Sequence, residues 1–314
     1  MIGTAYSLDG QTETAFPCGS RAVRNGGICN MPKSIGPYQV VDLPLSRRET
    51  PGLLDMVWEK HSIYGLLEVD VTAARQFMEK YKAGTGEALS FTGYLVYCLA
   101  RAVHEDKSVQ AYLKGRTHLV MFDDVDVGLP VERQIDGKRV PVGHVIRRAN
   151  HKTYQEIHSE IRSLQAQPVS PTKGIPSWLR FGLLLPWPFS KLFSSLLRTA
   201  IRWDPTILVA QAGTVGVTSV GMFGHRAGWG LTPPMHSLSL VVGGIAQKPA
   251  VVEGRIEPRE MLSLTIGFDH DVVDGAPAAR FVRRLVDLIE SAYGLPEHLQ
   301  PIHVPAGPEQ RSLQ

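Results

Sequence analysis

The stretch of sequence that decides the fold is GFDHDVVDGAPAARF, residues 267–281. It joins an apolar run with the period of a strand to a segment with the period of a helix. Between them lies the pattern His-x-x-x-Asp-Gly, formed by His270, Asp274 and Gly275. Chance alone gives far less than one such pattern in a chain of this composition. The histidine is therefore expected on a connection held by two packed elements, a common position for catalytic groups.

His270 is the first candidate catalytic residue. A histidine near neutral pH takes a proton from a thiol or hydroxyl nucleophile and returns it to a leaving group. Asp274 suits a pairing with an arginine that pins the turn, and Gly275 permits a tight turn at the helix start. The alternative is a buried structural histidine followed by an aspartate that only caps the helix. The spacing and the flanking elements favour the catalytic interpretation.

The segments around this motif alternate between strand and helix patterns. Predicted strands cover residues 63–71, 118–122, 125–131, 213–220, 237–246 and 261–268. Predicted helices cover residues 72–81, 92–104, 153–165 and about 276–292. Glu253 and Gly254 predict a hairpin turn between the last two strands. Because strands and helices do not alternate strictly, the pattern predicts an α/β fold with a mixed sheet flanked by helices.

Composition excludes several classes of protein. The 314 residues suffice for one large domain or two small ones, and 43% hydrophobic with 20% charged residues is typical of a folded protein rather than a disordered, collagen-like or coiled-coil one. A net charge of +3 without a dense Lys/Arg block disfavours a nucleic-acid partner. Cys18, Cys29 and Cys98 form no C-x-x-C pair, so neither a disulfide framework nor a metal site is expected. A reducing cytoplasm fits this cysteine content best.

Residues 175–201 are the most apolar part of the chain. Charged residues and prolines interrupt them, and the longest uncharged run, residues 181–190, is far shorter than the roughly 20 residues a spanning helix needs. We therefore expect no transmembrane segment. Residues 1–36 lack the pattern of a secretory signal and are expected to form a loosely ordered arm.

Five segments, in order, resemble the catalytic domain of dihydrolipoyl acyltransferases, the core subunits of 2-oxo acid dehydrogenase complexes, and more distantly chloramphenicol acetyltransferase. They are SRR (46–48), LLEVDVT (66–72), DVDVGLPVE continuing to VPVGHVIRRAN (124–150), GTVGVTSVGMFG (213–224) and the His-x-x-x-Asp-Gly turn. The resemblance implies one coenzyme A-dependent acyltransferase domain over residues 37–295, with an apolar insertion at 175–201 and a tail at 296–314. It implies the chloramphenicol acetyltransferase-like fold.

The same resemblance implies a homotrimer with active sites between subunits. His270 of one chain would face Thr218 of its neighbour and act as general base on the thiol of coenzyme A or dihydrolipoamide. The Thr218 hydroxyl would stabilise the tetrahedral oxyanion. The alternative for Thr218 is an ordinary strand residue.

Other site residues follow from the resemblance. Asp274 would be a structural partner of Arg47, with Arg48 as the next choice, unless the two arginines form only a solvated basic step. Ser219 and Asp269 would line the substrate channel, and Asp269 stands where chloramphenicol acetyltransferases usually carry a second histidine.

Asp271 lies beside the catalytic histidine. Its carboxylate either raises the pKa of the His270 imidazole or faces solvent.

The sequence departs from the family in three places. The arm of about 36 residues is too short for a lipoyl domain, so the acyl carrier is expected to be a separate lipoyl protein, free coenzyme A with another acceptor, or something unlike lipoate. The insertion is either an amphipathic hairpin that touches lipid or a long acyl chain, or a subunit contact or lid, and we favour the second. Its apolar residues suggest a hydrophobic pocket for a medium or long acyl group. The tail is polar at its end and broken by prolines, which favours a trimer over a cage.

Two other functions remain open. The first is a non-catalytic trimeric scaffold, which predicts a damaged catalytic set, whereas His270, Thr218 and Asp274 are all present. The second is acetyl transfer to a small hydroxyl compound. Asp269 argues against that reaction, and the absence of a lipoyl domain from the sequence argues for it.

Overall fold

The computed structural model of the chain describes residues 54, 60–135, 138–166, 177–186, 188–220, 227–233 and 235–295. They all fall in one compact unit. The predicted arm (1–36) and tail (296–314) lie outside the described residues, and so do Arg47 and Arg48, so these predictions stand as made.

A mixed sheet of six strands forms the centre of the fold. The strands of the chain are β1 (Ser62–Asp70), β2 (Tyr112–Lys114), β3 (His118–Val120), β4 (Val127–Ile135), β5 (Lys138–Ile146), β6 (Val215–Ser219), β7 (Leu238–Val252) and β8 (Arg255–Asp269). The large sheet has the order β1-β8-β7-β6-β4-β5, and β2 pairs with β3 separately. β6 runs parallel to β4 and β7, while the other neighbours are antiparallel. The predicted mixed α/β class is confirmed.

Helices pack on this sheet around one apolar core. They are α1 (Thr72–Thr85), α2 (Phe91–Glu105), α3 (Tyr154–Ala166), α4 (Ser177–Leu183), α5 (Phe189–Trp203), α6 (Thr206–Ala212) and α7 (Gly275–Glu290). α2 is buried over most of its circumference because its residues 93–100 are almost all apolar. The buried Tyr94 hydroxyl donates to the carbonyl oxygens of Leu288 (3.2 Å) and Ile289 (2.9 Å), which ties α2 to the end of α7. The helices predicted at 72–81, 92–104, 153–165 and 276–292 are confirmed with shifts of a few residues.

Local sequence explains where two of these helices begin. The Ser90 hydroxyl accepts a hydrogen bond from the backbone N–H of Gly93 at the start of α2. At the start of α3, the Thr153 hydroxyl accepts a hydrogen bond from the backbone N–H of Glu156 at 3.3 Å. The Glu156 carboxylate accepts one from the backbone N–H of Thr153 at 2.7 Å. This reciprocal pair is a capping box, and it satisfies two N–H groups that the first helical turn leaves free.

The β7–β8 hairpin is longer than the sequence predicts. Its turn contains Glu253 and Gly254, both with positive φ (49° and 79°), as a type I′ turn requires. The predicted turn is confirmed, but the strands reach it directly, with Val252 paired to Arg255. Val251 and Ile256 near the tip are exposed, so the hairpin extends past the core there.

Strand β5 is not predicted by the sequence. It pairs with β4 over its whole length and forms one edge of the sheet. It contains Pro141, which lacks a backbone N–H and therefore weakens a strand prediction, although an edge strand tolerates it. The sequence pattern consequently predicts a strand that stops before the end of β4, and it predicts no strand at β5.

The apolar insertion forms the two helices α4 and α5. They pack closely, since a side chain at Gly182 would overlap the Phe193 ring. The inward-facing Leu179 contributes to a cavity in the sheet region, while six large apolar side chains of the pair stay exposed: Trp178, Phe181, Phe189, Leu192, Leu196 and Trp203. Within the described ranges, every helix is too short or too polar to cross a membrane.

Close packing at Gly128 generates a stability prediction. A Cβ atom there would overlap the backbone carbonyl oxygen of Ala212, which cannot move without displacing the end of α6. Gly128→Ala is expected to lower the free energy of unfolding by about 1–3 kcal/mol. Gly65→Ala on β1 is the matched control, because a Cβ there meets nothing within 4 Å. Equal urea midpoints for the two variants would contradict this account of the β4–α6 contact.

Candidate active site

His270 directly follows the last residue of β8. Its backbone N–H donates to the carbonyl oxygen of His61 at 2.7 Å, and the N–H groups of Val272 and Val273 donate to the carbonyl oxygen of Asp269 at 3.0 Å. These bonds hold the turn between β8 and α7. The imidazole is 44% exposed, so it is held by a fixed backbone and remains accessible to a substrate.

Asp274 is the N-cap residue of α7, but its side chain makes no capping hydrogen bond. Its carboxylate is 85% exposed, and one oxygen lies 3.9 Å from Nδ1 of His270. Gly275 has no positive φ, and a Cβ there would meet nothing within 4 Å. The turn therefore does not itself require a glycine. The predicted partner Arg47 lies outside the described residues.

Asp269 forms a buried ion pair that the sequence did not predict. Its carboxylate, 6% exposed, lies 3.3 Å from the ammonium group of Lys60, which is 21% exposed. That ammonium group also lies 4.6 Å from the centre of the Tyr112 ring, within cation–π range. Burial lowers the pKa of Lys60, and the nearby Asp269 carboxylate partly opposes this effect. The pair anchors the residue immediately before His270.

Asp271 also has a partner from the start of β1. Its two carboxylate oxygens lie 3.0 and 3.1 Å from Nδ1 of His61. Of the two alternatives for Asp271, the structure favours the exposed one, since the side chain is 42% exposed while it also contacts a second histidine. Lys60 and His61 were missed since they are about 210 residues away in sequence and carry no motif.

Thr218 lies on β6 and lines a cavity of about 520 Å³. The cavity is bounded by β4, β5, β6, β7, the insertion helix α4 and helix α6, and most of its lining residues are apolar. Ser219, the next residue of β6, is exposed. The structure thus brings Thr218, but not His270, to the cavity.

His236 is a further residue of this cavity that the sequence did not identify. Its ring packs against Gly216, where a Cβ would overlap the imidazole. Its Nε2–H donates to the carbonyl oxygen of Ala212 at 3.0 Å. Burial lowers the pKa of His236 from 6.5 to about 4, so the ring is neutral at physiological pH. The one sequence signal for this contact is Gly216, two residues before Thr218, because a glycine leaves room for the ring.

Strand register keeps Thr218 and His270 apart within one chain. Thr218 pairs with Val241 of β7, which pairs with Thr265 of β8. His270 lies five residues beyond Thr265. At ~3.3 Å per residue this is roughly 16 Å along the strands, with two strand spacings of ~4.8 Å across them. The two side chains do not meet in a single copy.

Comparison with known proteins shows the family. The family model described as 2-oxoacid dehydrogenases acyltransferase (catalytic domain) matches residues 38–169 and 209–296, well over half of the chain. The chain therefore belongs to this family of acyltransferase catalytic domains. The resemblance identified in the sequence is confirmed at this level.

Three known proteins illustrate the similarity. The lipoamide acyltransferase component of the branched-chain alpha-keto acid dehydrogenase complex of Bacillus subtilis (strain 168) is 24% identical over 293 residues, which are 92% of this chain and 57% of that protein. The chain thus spans little more than half the length of this relative.

The other two are solved structures that share the fold. One is the cubic core of the pyruvate dehydrogenase multienzyme complex, with a TM-score of 0.59 and 19% identity, covering 84% of this chain and 99% of that chain. The other is Azotobacter vinelandii dihydrolipoamide acetyltransferase, with a TM-score of 0.58, 20% identity, and coverage of 84% and 99%. It was studied for the role of one serine, one histidine and one asparagine in its catalytic mechanism. The predicted fold class is confirmed.

The depressed pKa of His236 generates a prediction about pH. The unfolded chain takes up a proton on this residue as the pH falls below 6.5, whereas the folded chain does so only near pH 4. Stability is therefore lost as the pH falls through this window, by at most roughly 3 kcal/mol from this residue. His236→Gln keeps a donor for Ala212 and does not titrate. Urea unfolding between pH 7 and pH 4 is expected to show a shallower pH dependence for the variant, and identical slopes would refute the assignment.

Proposed function

We propose that the protein is a coenzyme A-dependent acyltransferase that moves an acyl group between coenzyme A and a thiol acceptor of the dihydrolipoyl type. His270 is the general base, Thr218 the oxyanion donor, and Asp274 a positioning residue. Family membership supports the reaction class, and the residues present support the roles.

One observation carries this assignment. In the Azotobacter vinelandii enzyme the serine precedes the histidine by the same number of residues by which Thr218 precedes His270 here. The asparagine follows that histidine at the same interval as Asp274 follows His270. Both proteins thus have a hydroxyl residue, a histidine and a small polar residue, separated by the same two intervals. A scaffold that had lost catalysis would have no reason to keep all three.

The proposed chemistry balances without a further reactant. His270 takes the proton of the attacking thiol, and the thiolate forms a C–S bond to the thioester carbonyl carbon. The Thr218 hydroxyl donates a hydrogen bond to the oxyanion that develops on the carbonyl oxygen. Collapse of the tetrahedral intermediate breaks the original C–S bond, and the His270 imidazolium returns the proton to the leaving thiolate.

Two copies of the chain are needed for this reaction. The register separates Thr218 from His270 by more than any side chain spans, while both are accessible, one in the cavity and one at the end of β8. A homotrimer with each site between neighbours supplies the missing group, because a cyclic arrangement gives every interface one copy of each surface. One solved structure with the same fold is the cubic core of a multienzyme complex, which is in keeping with an oligomer.

The acceptor is proposed to be a lipoyl group on another protein or a separate domain, with coenzyme A as the second substrate. The half-exposed His270 imidazole is accessible to a flexible thiol arm.

Substitution of the two reacting groups tests the proposal. His270→Ala removes the proton acceptor and is expected to lower kcat for transfer from acyl-coenzyme A to dihydrolipoamide by at least about a hundredfold. Thr218→Val removes the oxyanion donor but keeps the shape, with an expected loss of about a hundredfold to a thousandfold, and Thr218→Ser is expected to restore most of the rate.

The control variant is His118→Ala, which removes an exposed histidine on β3, a strand outside the six-stranded sheet. It is expected to keep wild-type kcat. Unchanged transfer in His270→Ala, with the fold intact by circular dichroism, would remove this residue from the mechanism.

A further inference from the structure

We infer that the cavity beside Thr218 binds an apolar acyl group larger than acetyl, a branched or medium-length aliphatic chain carried as a coenzyme A thioester. The inference rests on the proposed function, because it takes the thioester carbonyl to be bound at Thr218. It adds the chemical class of the acyl group, which the transfer chemistry does not specify.

The first argument is the size and lining of the cavity. Its volume of about 520 Å³ falls within the range of small-molecule pockets. Its lining includes the partly buried aliphatic side chains of Val145, Leu179, Leu208 and Met235. An acetyl group presents a single methyl and leaves most of this surface without contacts. Each additional methylene that reaches the walls is removed from water, so longer or branched chains bind better.

The second argument is the lack of charge. None of the described residues that line the cavity is Lys, Arg, Asp or Glu. Its two histidines have partners, since Nε2 of His144 lies 2.9 Å from Glu160 and His236 donates to Ala212. A dicarboxylic acyl group such as succinyl would bring a carboxylate into an apolar site with no cation to pair with it. The cavity therefore selects against it.

The third argument is the origin of one wall. Leu179 of α4 and Leu208 of α6 both line the cavity. Both lie between residues 169 and 209, the part of the chain that the family model leaves unmatched. This unmatched part of the chain thus shapes the acyl site, and the selectivity is a property of the present chain rather than of the family motif.

Chain-length dependence tests the inference. Transfer to dihydrolipoamide is measured with acetyl-, isovaleryl-, hexanoyl-, octanoyl- and succinyl-coenzyme A. We expect kcat/KM to rise by about fourfold for each buried methylene until the cavity is filled, with succinyl-coenzyme A the poorest substrate. Leu179→Trp fills part of the cavity and is expected to lower kcat/KM for the best chain at least about tenfold, while the acetyl value changes less than about threefold.

Leu192→Trp is the matched control, because it makes the same substitution in the same insertion on the exposed side of α5. It is expected to keep the wild-type chain-length profile. Equal kcat/KM for acetyl and longer chains, or a preference for succinyl, would overturn the inference while acyl transfer itself stands.

A lack of transfer from every acyl-coenzyme A would instead count against the proposed function. Calorimetric titration with unreactive thioether analogues of acetyl- and octanoyl-coenzyme A then decides the inference separately. Tighter binding of the octanoyl analogue, weakened by Leu179→Trp, supports it, and equal affinities overturn it.

Discussion

The pairing of β6, β7 and β8 is the constraint on which the rest of the structure depends. β8 pairs with β1 on one side and β7 on the other, so no residue of its buried half can slip without exposing the core. This register places Thr218 level with Thr265 of β8, five residues before His270 and two strands away. The separation of the two groups within one chain is therefore a property of the sheet, and the proposed reaction needs a second copy of the chain to supply the missing group.

Charges that come from before β1 hold the connection around His270. Lys60 pairs with Asp269 and His61 pairs with Asp271, so both carboxylates that flank His270, the proposed general base, are engaged. The buried Lys60–Asp269 pair would be costly to break from either side, because one charge would remain without a partner. The His270 ring is 44% exposed, and its Nδ1 lies 3.9 Å from a carboxylate oxygen of Asp274. It is thus positioned by its backbone and left accessible for proton transfer.

The sequence predicted the parts of the molecule that local pattern controls. The core helices follow from apolar periodicity, the hairpin turn from Glu253 and Gly254, and the position of His270 from the motif between β8 and α7. The sequence pattern does not predict β5, because Pro141 is unusual in a strand. It does not predict the tips of β7 and β8 either, because they extend past the core.

Most of the site beyond the motif could not be predicted, because it depends on contacts between residues far apart in sequence. The Lys60–Asp269 pair joins opposite ends of the chain, and His236 is recognisable only once its ring is seen against Gly216. The apolar insertion was noticed from composition, and its residues suggested a hydrophobic pocket. Only the fold places Leu179 in the same cavity as Thr218.

Subunit mixing tests the central claim, that each active site takes Thr218 from one chain and His270 from another. In this account, the His270→Ala and Thr218→Val variants are each nearly inactive. The two variants are mixed in equal amounts, unfolded together and refolded. Random assembly into a ring with one site per interface gives about a quarter of the sites both intact groups, so about a quarter of wild-type activity is expected to return. Activity that stays at the level of the separate variants, in a mixture shown by mass to contain both chains in one particle, would contradict the account.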